Sequence, residues 1–167
     1  EPFVVALGDS IIKAKCKSDL LRRMMASHRA HQASVTVAVE AVPREQLGRY
    51  GIVRPRGKVG EEFEIADVVE KPSPQEAPSN LALAGRYIFE SSIFDSIVRT
   101  SPSSDGELQL PDSIRLMINE GHLVRAVCLI GDEKRYDIGN FESYFKAFID
   151  FALEDEQCGD TVIQYLR

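Results

Sequence analysis

"FVVALGDSII", residues 3–12, is an apolar run that is interrupted by Gly8 and Asp9. A short run of this kind is typical of a parallel strand that is buried on both faces, so we expect such a strand over residues 3–7. Asp9 would then stand just beyond the end of that strand. Open α/β sheets bind ligands outside the carboxyl ends of their strands, which makes Asp9 a candidate functional residue.

Strand patterns and helix patterns follow one another along the rest of the chain. Further strands are predicted over residues 35–42, 81–89 and 123–130. Between the first two of these, one strand is predicted to open at residues 49–53 and another to end near Glu70. Helices are predicted from Asp19 to about His31, from Ser91 or Ser92 onward, from Leu110 to about Glu120, and within about 141–167. Ser18 is expected to cap the first helix, and Phe94 and Val98 are expected to face the core from the second. This order predicts an α/β fold with a mixed open sheet flanked by helices, in which residues 1–167 form a single domain.

Composition excludes several classes of partner. The chain has 167 residues and a net charge of −6, which argues against a nucleic-acid backbone as the main partner. No apolar stretch approaches the roughly 20 residues that a membrane span needs, so we expect no membrane association. The three cysteines Cys16, Cys128 and Cys158 have no metal-ligand spacing, which indicates a reducing, cytoplasmic setting.

Two acidic residues are candidate metal ligands. Asp9 follows the first apolar run, and Asp137 lies in the turn "YDIGN" at residues 136–140. Mg²⁺ is held in proteins by one or two carboxylates, with waters and phosphate oxygens as its other ligands. Asp9 and Asp137 could meet across a cleft to hold one such ion. The alternative is that Asp9 caps a helix or turn and that Asp137 belongs to an Asx-turn.

A third acid and two glycines suggest a place for a sugar phosphate. Glu70 and Lys71 end a predicted strand immediately before a proline, so both side chains could face the cleft. The acid could then accept sugar hydroxyls and the base could meet a phosphate, whereas a solvated strand end is the alternative. Gly51 and Gly85 lie within apolar strands, where a glycine marks either close approach of a ligand, or a bulge and tight packing.

Six motifs occur in an order that resembles one family. They are "LGDSI", "YGIV", "ADVVEKP", "APSNLALAGRYIF", "GELQLPDSI" and "KRYDIGN". Together they resemble the bacterial UDP-glucose pyrophosphorylases, from about Pro2 to about Leu153. The resemblance implies a Rossmann-like nucleotidyltransferase fold and the reaction of UTP with glucose 1-phosphate to give UDP-glucose and pyrophosphate.

The resemblance also implies roles for individual residues. Asp9 and Asp137 are similar to the acids that lie near Mg²⁺ and the phosphates, and Lys71 is similar to the lysine that meets the sugar phosphate. Asp9, Lys71 and Asp137 are therefore the expected catalytic residues. The substrate-binding positions implied by the resemblance are Gly8, which leaves room for phosphate, and Gly51, Glu70, Lys71, Asn80 and Gly85.

Members of this family carry a nucleotide-binding segment before the part that this sequence resembles. We therefore expect the sequence to be the C-terminal sugar- and metal-binding part of a nucleotidyltransferase, with low activity by itself. Two alternatives are a non-catalytic sugar-phosphate-binding or oligomerisation module, and a nucleotidyltransferase for another base such as that of dTTP. The expected ligands are UTP or another nucleoside triphosphate, glucose 1-phosphate and UDP-glucose, and a homo-oligomer is expected.

Overall fold

The computed structural model of the protein describes residues 1–14, 19–103 and 106–167. Its strands are β1 Phe3–Ala6, β2 Ser10–Lys13, β3 Val35–Ala41, β4 Gly51–Arg56, β5 Glu62–Glu70, β6 Leu81–Phe89, β7 Val124–Cys128 and β8 Lys134–Asp137. Its α-helices are α1 Asp19–His31, α2 Ser92–Arg99, α3 Leu110–Asn119, α4 Phe141–Leu153 and α5 Gly159–Tyr165, and a 3₁₀-helix covers Arg44–Arg49. Ser18, the expected cap of the first helix, and Cys16 lie outside the described residues.

Six of the strands form one mixed sheet in the order β1-β6-β3-β7-β5-β4. Strands β3 and β7 are parallel, and the other neighbouring pairs are antiparallel. The sheet curls so that β4 also reaches β6 through the pair Ile52 and Ala82. The prediction of a mixed α/β sheet flanked by helices is therefore confirmed.

The two faces of β3 separate two layers of helices. Val35, Val37 and Val39 belong to one buried cluster, whose other members include Ile93 of α2 and Ile114 and Met117 of α3. Ala38 points to the opposite face and packs in a second cluster with Leu20 and Met24 of α1. This alternation follows from the two-residue period of a strand, which sends successive side chains to opposite faces.

The prediction for residues 3–7 is wrong in one respect. Strand β1 lies at an edge of the described sheet and pairs antiparallel with β6, with Phe3 opposite Phe89. It is not a parallel strand buried on both faces, because it pairs antiparallel and Val4 on one of its faces is 45% exposed. An apolar run shows that a strand forms, but it does not show which neighbours the strand will have.

Two short strands, β2 and β8, form a separate antiparallel ribbon that the sequence patterns did not predict. Ser10 is paired with Asp137 in its register. The ribbon brings the turn around Asp9 beside the "YDIGN" turn, where the Ile138 amide donates to the Asp9 carbonyl at 2.8 Å. Pairing of these two short strands therefore joins parts of the chain that are far apart in sequence.

The helices are confirmed in position, but α2 buries a different face from the one expected. Ile93 of α2 is buried, whereas Phe94 is 56% exposed and Val98 is 86% exposed. The aromatic residues of α4 are also exposed on the described surface, with Phe141 at 81%.

Within the described residues, no helix combines the length and apolar character needed to cross a bilayer.

Candidate active site

A cleft of about 340 Å³ opens where β5 and β8 end and where β4 begins. It contains five of the residues singled out from the sequence, together with several others that sequence patterns did not indicate. Its lining residues include Asp9, Ser10, Arg49, Tyr50, Gly51, Glu70, Leu83, Gly85, Tyr87, Pro111, Arg135 and Asp137. The fold therefore brings the two candidate metal ligands and the candidate sugar-binding acid to one cavity.

Asp9 and Asp137 converge on the space above Gly139. A Cβ atom placed on Gly139 would lie 3.3 Å from Oδ1 of Asp137 and 3.7 Å from Oδ2 of Asp9. Glycine at this position leaves the space between the two carboxylates open. The pairing of β2 with β8 supplies this geometry, because it fixes the backbone at both carboxylates.

The carboxylate of Asp137 is oriented by donors on both of its oxygens. The Gly139 amide donates to Oδ1 at 3.1 Å, and the hydroxyl of Tyr50 donates to Oδ2 at 3.1 Å. Arg49 lies 3.5 Å from the same Oδ2 through its Nη2. Each carboxylate oxygen offers about two acceptor sites, so Asp137 retains acceptor capacity toward the cleft.

Gly51 lies against Glu70 across the β4–β5 pair. A Cβ on Gly51 would meet Oε2 of Glu70 at 3.1 Å, Cγ of Pro111 at 3.1 Å and Cδ1 of Leu83 at 2.8 Å. A larger residue would therefore have to displace the carboxylate or its neighbours. Of the two interpretations given for this glycine, tight packing is observed directly.

Lys71 lies at the edge of the cleft and does not line it. Its backbone has a φ of 43°, in the left-handed region, and its amide donates to the Tyr50 carbonyl at 3.1 Å. Its Nζ is 3.6 Å from Oε1 of Glu70. The strand ends at Glu70, and the turn at Lys71 keeps both side chains on neighbouring parts of the surface.

The remaining three predicted residues differ in position. Gly85 lines the cleft with a φ of 70°, and a Cβ there would lie 3.1 Å from Cβ of Ser10. Gly8 and Asn80 are exposed and do not line this cavity, and the Asn80 carbonyl accepts from the Val42 amide at 2.9 Å. Their substrate roles stay predictions.

Tyr87 is a cavity residue that the sequence analysis missed. It is 4% exposed and stacks on Phe89, with ring centroids 5.5 Å apart. Burial raises the pKa of its phenol, and the negative charges of Glu70 and Asp9 raise it further. Tyr87 is therefore a neutral hydrogen-bond donor at physiological pH. The available signal was the alternation of Leu83, Gly85 and Tyr87, which places them on one face of the strand.

Arg49, Tyr50 and Arg135 were also missed, because only the tertiary structure brings them to the cleft. The Arg135 guanidinium carbon lies 4.2 Å from the centroid of the Tyr50 ring. Arg135 also forms an ion pair with Glu40 and has a side chain that is 8% exposed. These residues give the acidic cleft a cationic wall.

Two carboxylates fit one kind of metal. Across residues 1–14, 19–103 and 106–167, no group of three or more His, Cys, Asp or Glu side chains is arranged to hold an ion. Structural zinc sites need four protein ligands, whereas Mg²⁺ is held by one or two carboxylates with waters and phosphates. Asp9 and Asp137 therefore suit a hard cation that arrives with a phosphorylated ligand.

Comparison with known proteins shows the family. The family model for nucleotidyl transferases matches residues 1–154. The chain belongs to the nucleotidyl transferase family. The match covers all of the cleft residues described above.

Individual relatives are similar to this chain over almost all of its length. A UTP–glucose-1-phosphate uridylyltransferase 2 of Staphylococcus saprophyticus is 35% identical over 167 residues, which are 100% of this chain and 56% of that protein. A UTP–glucose-1-phosphate uridylyltransferase of Bacillus subtilis is 36% identical, with 100% of this chain and 55% of that protein covered. The chain thus spans about half the length of the curated relatives that it matches.

A solved structure agrees with these relatives. A crystal structure of UDP-glucose pyrophosphorylase complexed with UDP-glucose superimposes with a TM-score of 0.84 and 33% identity, covering 93% of this chain and 57% of that one. The mixed sheet and its flanking helices are therefore shared with a UDP-glucose pyrophosphorylase.

Proposed function

We propose that this chain is the sugar-phosphate- and metal-binding part of a UTP–glucose-1-phosphate uridylyltransferase, and that residues 1–167 act as one domain. The observation that carries the proposal is the presence of Asp9, Asp137 and Glu70 in one cleft of the size of a small ligand. The names of the similar proteins support UTP, glucose 1-phosphate and UDP-glucose as the ligands. A homo-oligomer stays a prediction.

Within this proposal, Asp9 and Asp137 are the residues that would hold Mg²⁺. The bound ion would offset negative charge on the attacked phosphate and on the leaving pyrophosphate. The chain's own task is to place both acids beside the sugar phosphate. Asp137 does so with a carboxylate that is already oriented by the Gly139 amide and the Tyr50 hydroxyl.

Glu70, Lys71 and Tyr87 would bind the sugar phosphate. The Glu70 carboxylate accepts hydrogen bonds from glucose hydroxyls, and the neutral Tyr87 phenol supplies a donor in the same cleft. The Lys71 ammonium, now 3.6 Å from Glu70, turns toward the phosphate. No protein nucleophile is required, because an oxygen of glucose 1-phosphate attacks the α-phosphate in line and the protein contributes by positioning and charge.

Binding of two epimeric sugar phosphates tests this assignment. Glucose 1-phosphate and galactose 1-phosphate are titrated calorimetrically into the unsubstituted protein, Glu70→Gln and Lys71→Met in the presence of Mg²⁺. We expect Glu70→Gln to lower the affinity for glucose 1-phosphate about tenfold or more and to reduce the discrimination between the two epimers, because charge-assisted hydrogen bonds are lost. Lys71→Met should weaken both ligands by the same factor.

The exposed Glu45→Gln serves as the matched control, since it removes a carboxylate outside the cleft. It should leave both affinities unchanged. An unchanged preference between the epimers in Glu70→Gln would remove Glu70 from the sugar site and contradict the proposal.

A further inference from the structure

Tyr50 connects three parts of the cleft that are distant in sequence. Its hydroxyl donates to Oδ2 of Asp137 at 3.1 Å. Its ring carries the Arg135 guanidinium at 4.2 Å, and its carbonyl accepts from the Lys71 amide at 3.1 Å. One residue immediately before β4 therefore contacts the candidate metal site with its side chain and the candidate phosphate site with its backbone.

The ring of Tyr50 is held independently of any ligand. Arg135 is nearly buried and is fixed by its ion pair with Glu40, so the guanidinium presents a stationary surface to the ring. A cation above an aromatic ring is attracted to it electrostatically. The Tyr50 hydroxyl is thus aimed at Asp137 by side chains that lie outside the metal pair.

The other donors to Asp137 cannot replace this contact. The Gly139 amide serves Oδ1 from two residues along the same chain. Arg49 reaches Oδ2 only at 3.5 Å, and its side chain is half exposed. Without the Tyr50 hydroxyl, Oδ2 of Asp137 keeps only the longer contact with the half-exposed Arg49, so the orientation of the carboxylate is less firmly fixed.

We propose that Tyr50 is a positioning residue that orients Asp137 for a divalent cation, while its backbone separately fixes the start of the Lys71 turn. The inference rests on the proposed function, because it takes Asp9 and Asp137 as the cation ligands. Partners that hydrogen-bond metal-ligating carboxylates usually change metal affinity about 10- to 100-fold when they are removed. Tyr50→Phe keeps the ring and the carbonyl and deletes only the hydroxyl.

Mn²⁺ binding tests the inference without any measurement of turnover. Mn²⁺, which is detected directly by electron paramagnetic resonance, is titrated into the protein with saturating UDP-glucose. We expect Tyr50→Phe to lower the affinity for Mn²⁺ about tenfold or more. Its melting temperature and its UDP-glucose affinity in the presence of a chelator should stay unchanged, because the ring contact and the hydrogen bond to Lys71 remain.

Tyr136→Phe is the matched control, because it deletes a similar hydroxyl that donates to Asp150 at 3.0 Å outside the cleft. It should bind Mn²⁺ as the unsubstituted protein does. Unchanged Mn²⁺ affinity in Tyr50→Phe, or an equal loss in Tyr136→Phe, would overturn the positioning role. If Asp9→Asn bound Mn²⁺ as well as the unsubstituted protein, the metal pair itself would be wrong, and the inference would fail with it.

Discussion

At the scale of single residues, the geometry of the cleft depends on glycines beside its carboxylates and on a buried tyrosine near them. Gly139 leaves open the space onto which Asp9 and Asp137 converge, and Gly51 makes room for Glu70. Tyr87 is held neutral by burial beside two acids. Patterns in the sequence indicated the acids and Gly51, but not Gly139 or Tyr87, and no pattern indicated which side chains would touch.

Gly51→Ala should destabilise the protein and lower its affinity for UDP-glucose. The added Cβ would lie 2.8 Å from Leu83 and 3.1 Å from Glu70, so at least one of them must move. Overpacking of this kind costs about 1–3 kcal/mol. Urea unfolding and UDP-glucose titration measure both effects, with Gly60→Ala as control because its new Cβ meets only ordinary contact at 3.6 Å. Equal behaviour of the two variants would show that Gly51 is not packed as described.

The raised pKa of the Tyr87 phenol predicts that the folded protein loses stability at alkaline pH. Its pKa is raised in the folded state, so below about pH 10 the phenol is neutral in both states and the stability is fully present. Above that pH the unfolded chain loses the proton first, and the free energy of unfolding falls by up to about 1.4 kcal/mol per pH unit.

Urea unfolding between pH 8 and 11 measures this effect in the unsubstituted protein, in Tyr87→Phe and in the exposed control Tyr165→Phe. Tyr87→Phe should show a shallower alkaline decline than the other two proteins. The same decline in all three would show that the Tyr87 phenol does not control the alkaline transition.

At the scale of elements, the long periodic segments were predicted well and the short ones were not. Helix α1 covers the predicted residues Asp19–His31, and strands β5 and β6 end where the proline and apolar signals indicated. The four-residue strands β2 and β8 carry too little periodicity to be recognised, and their pairing is decided by contacts between distant parts of the chain. Helix α2 buries Ile93 but not Val98, because only one stripe of a helix can face the sheet.

The packing of α1 gives a prediction at this scale. Met24 is fully buried against the sheet face that contains Ala38, so Met24→Ala should cost about 2–5 kcal/mol of unfolding free energy. Val98→Ala on α2 removes an exposed apolar side chain and should cost far less. Chemical denaturation of both variants provides the comparison. A similar loss in both would contradict the described orientation of the two helices.

At the scale of the whole molecule, the cleft is formed by pieces from most of the chain length. Residues near positions 9, 50, 70, 85 and 137 reach it because β4 and β5 pair, β2 and β8 pair, and the sheet curls to bring β4 to β6. The fold class and the candidate acids could be predicted from patterns and from resemblance. The convergence of Tyr50 and Arg135 could not, because Tyr50 precedes β4 of the six-stranded sheet and Arg135 lies on β8 of the separate ribbon, and only the tertiary structure brings the two together.

Turnover of the 167-residue polypeptide is the first prediction at this scale. It spans about half the length of its curated relatives. Incubated by itself with UTP, glucose 1-phosphate and Mg²⁺, it should release pyrophosphate far below the ~1–10³ s⁻¹ of ordinary enzymes, because under the proposed function residues 1–167 form the sugar- and metal-binding part only. Turnover within that range would show that these residues suffice for the whole reaction.

The most direct measurement of the central claim asks whether the metal and the sugar phosphate occupy the same cleft. Mn²⁺ is paramagnetic and shortens the relaxation time of a ³¹P nucleus only when the two are close. The ³¹P relaxation of glucose 1-phosphate is therefore recorded with Mn²⁺ and the unsubstituted protein, Asp9→Asn, and the control Asp160→Asn, whose carboxylate is exposed on α5. Strong relaxation in the unsubstituted protein and the control, together with its loss in Asp9→Asn, is the predicted result. Equal relaxation in all three proteins, or none in the unsubstituted protein, would contradict a shared site.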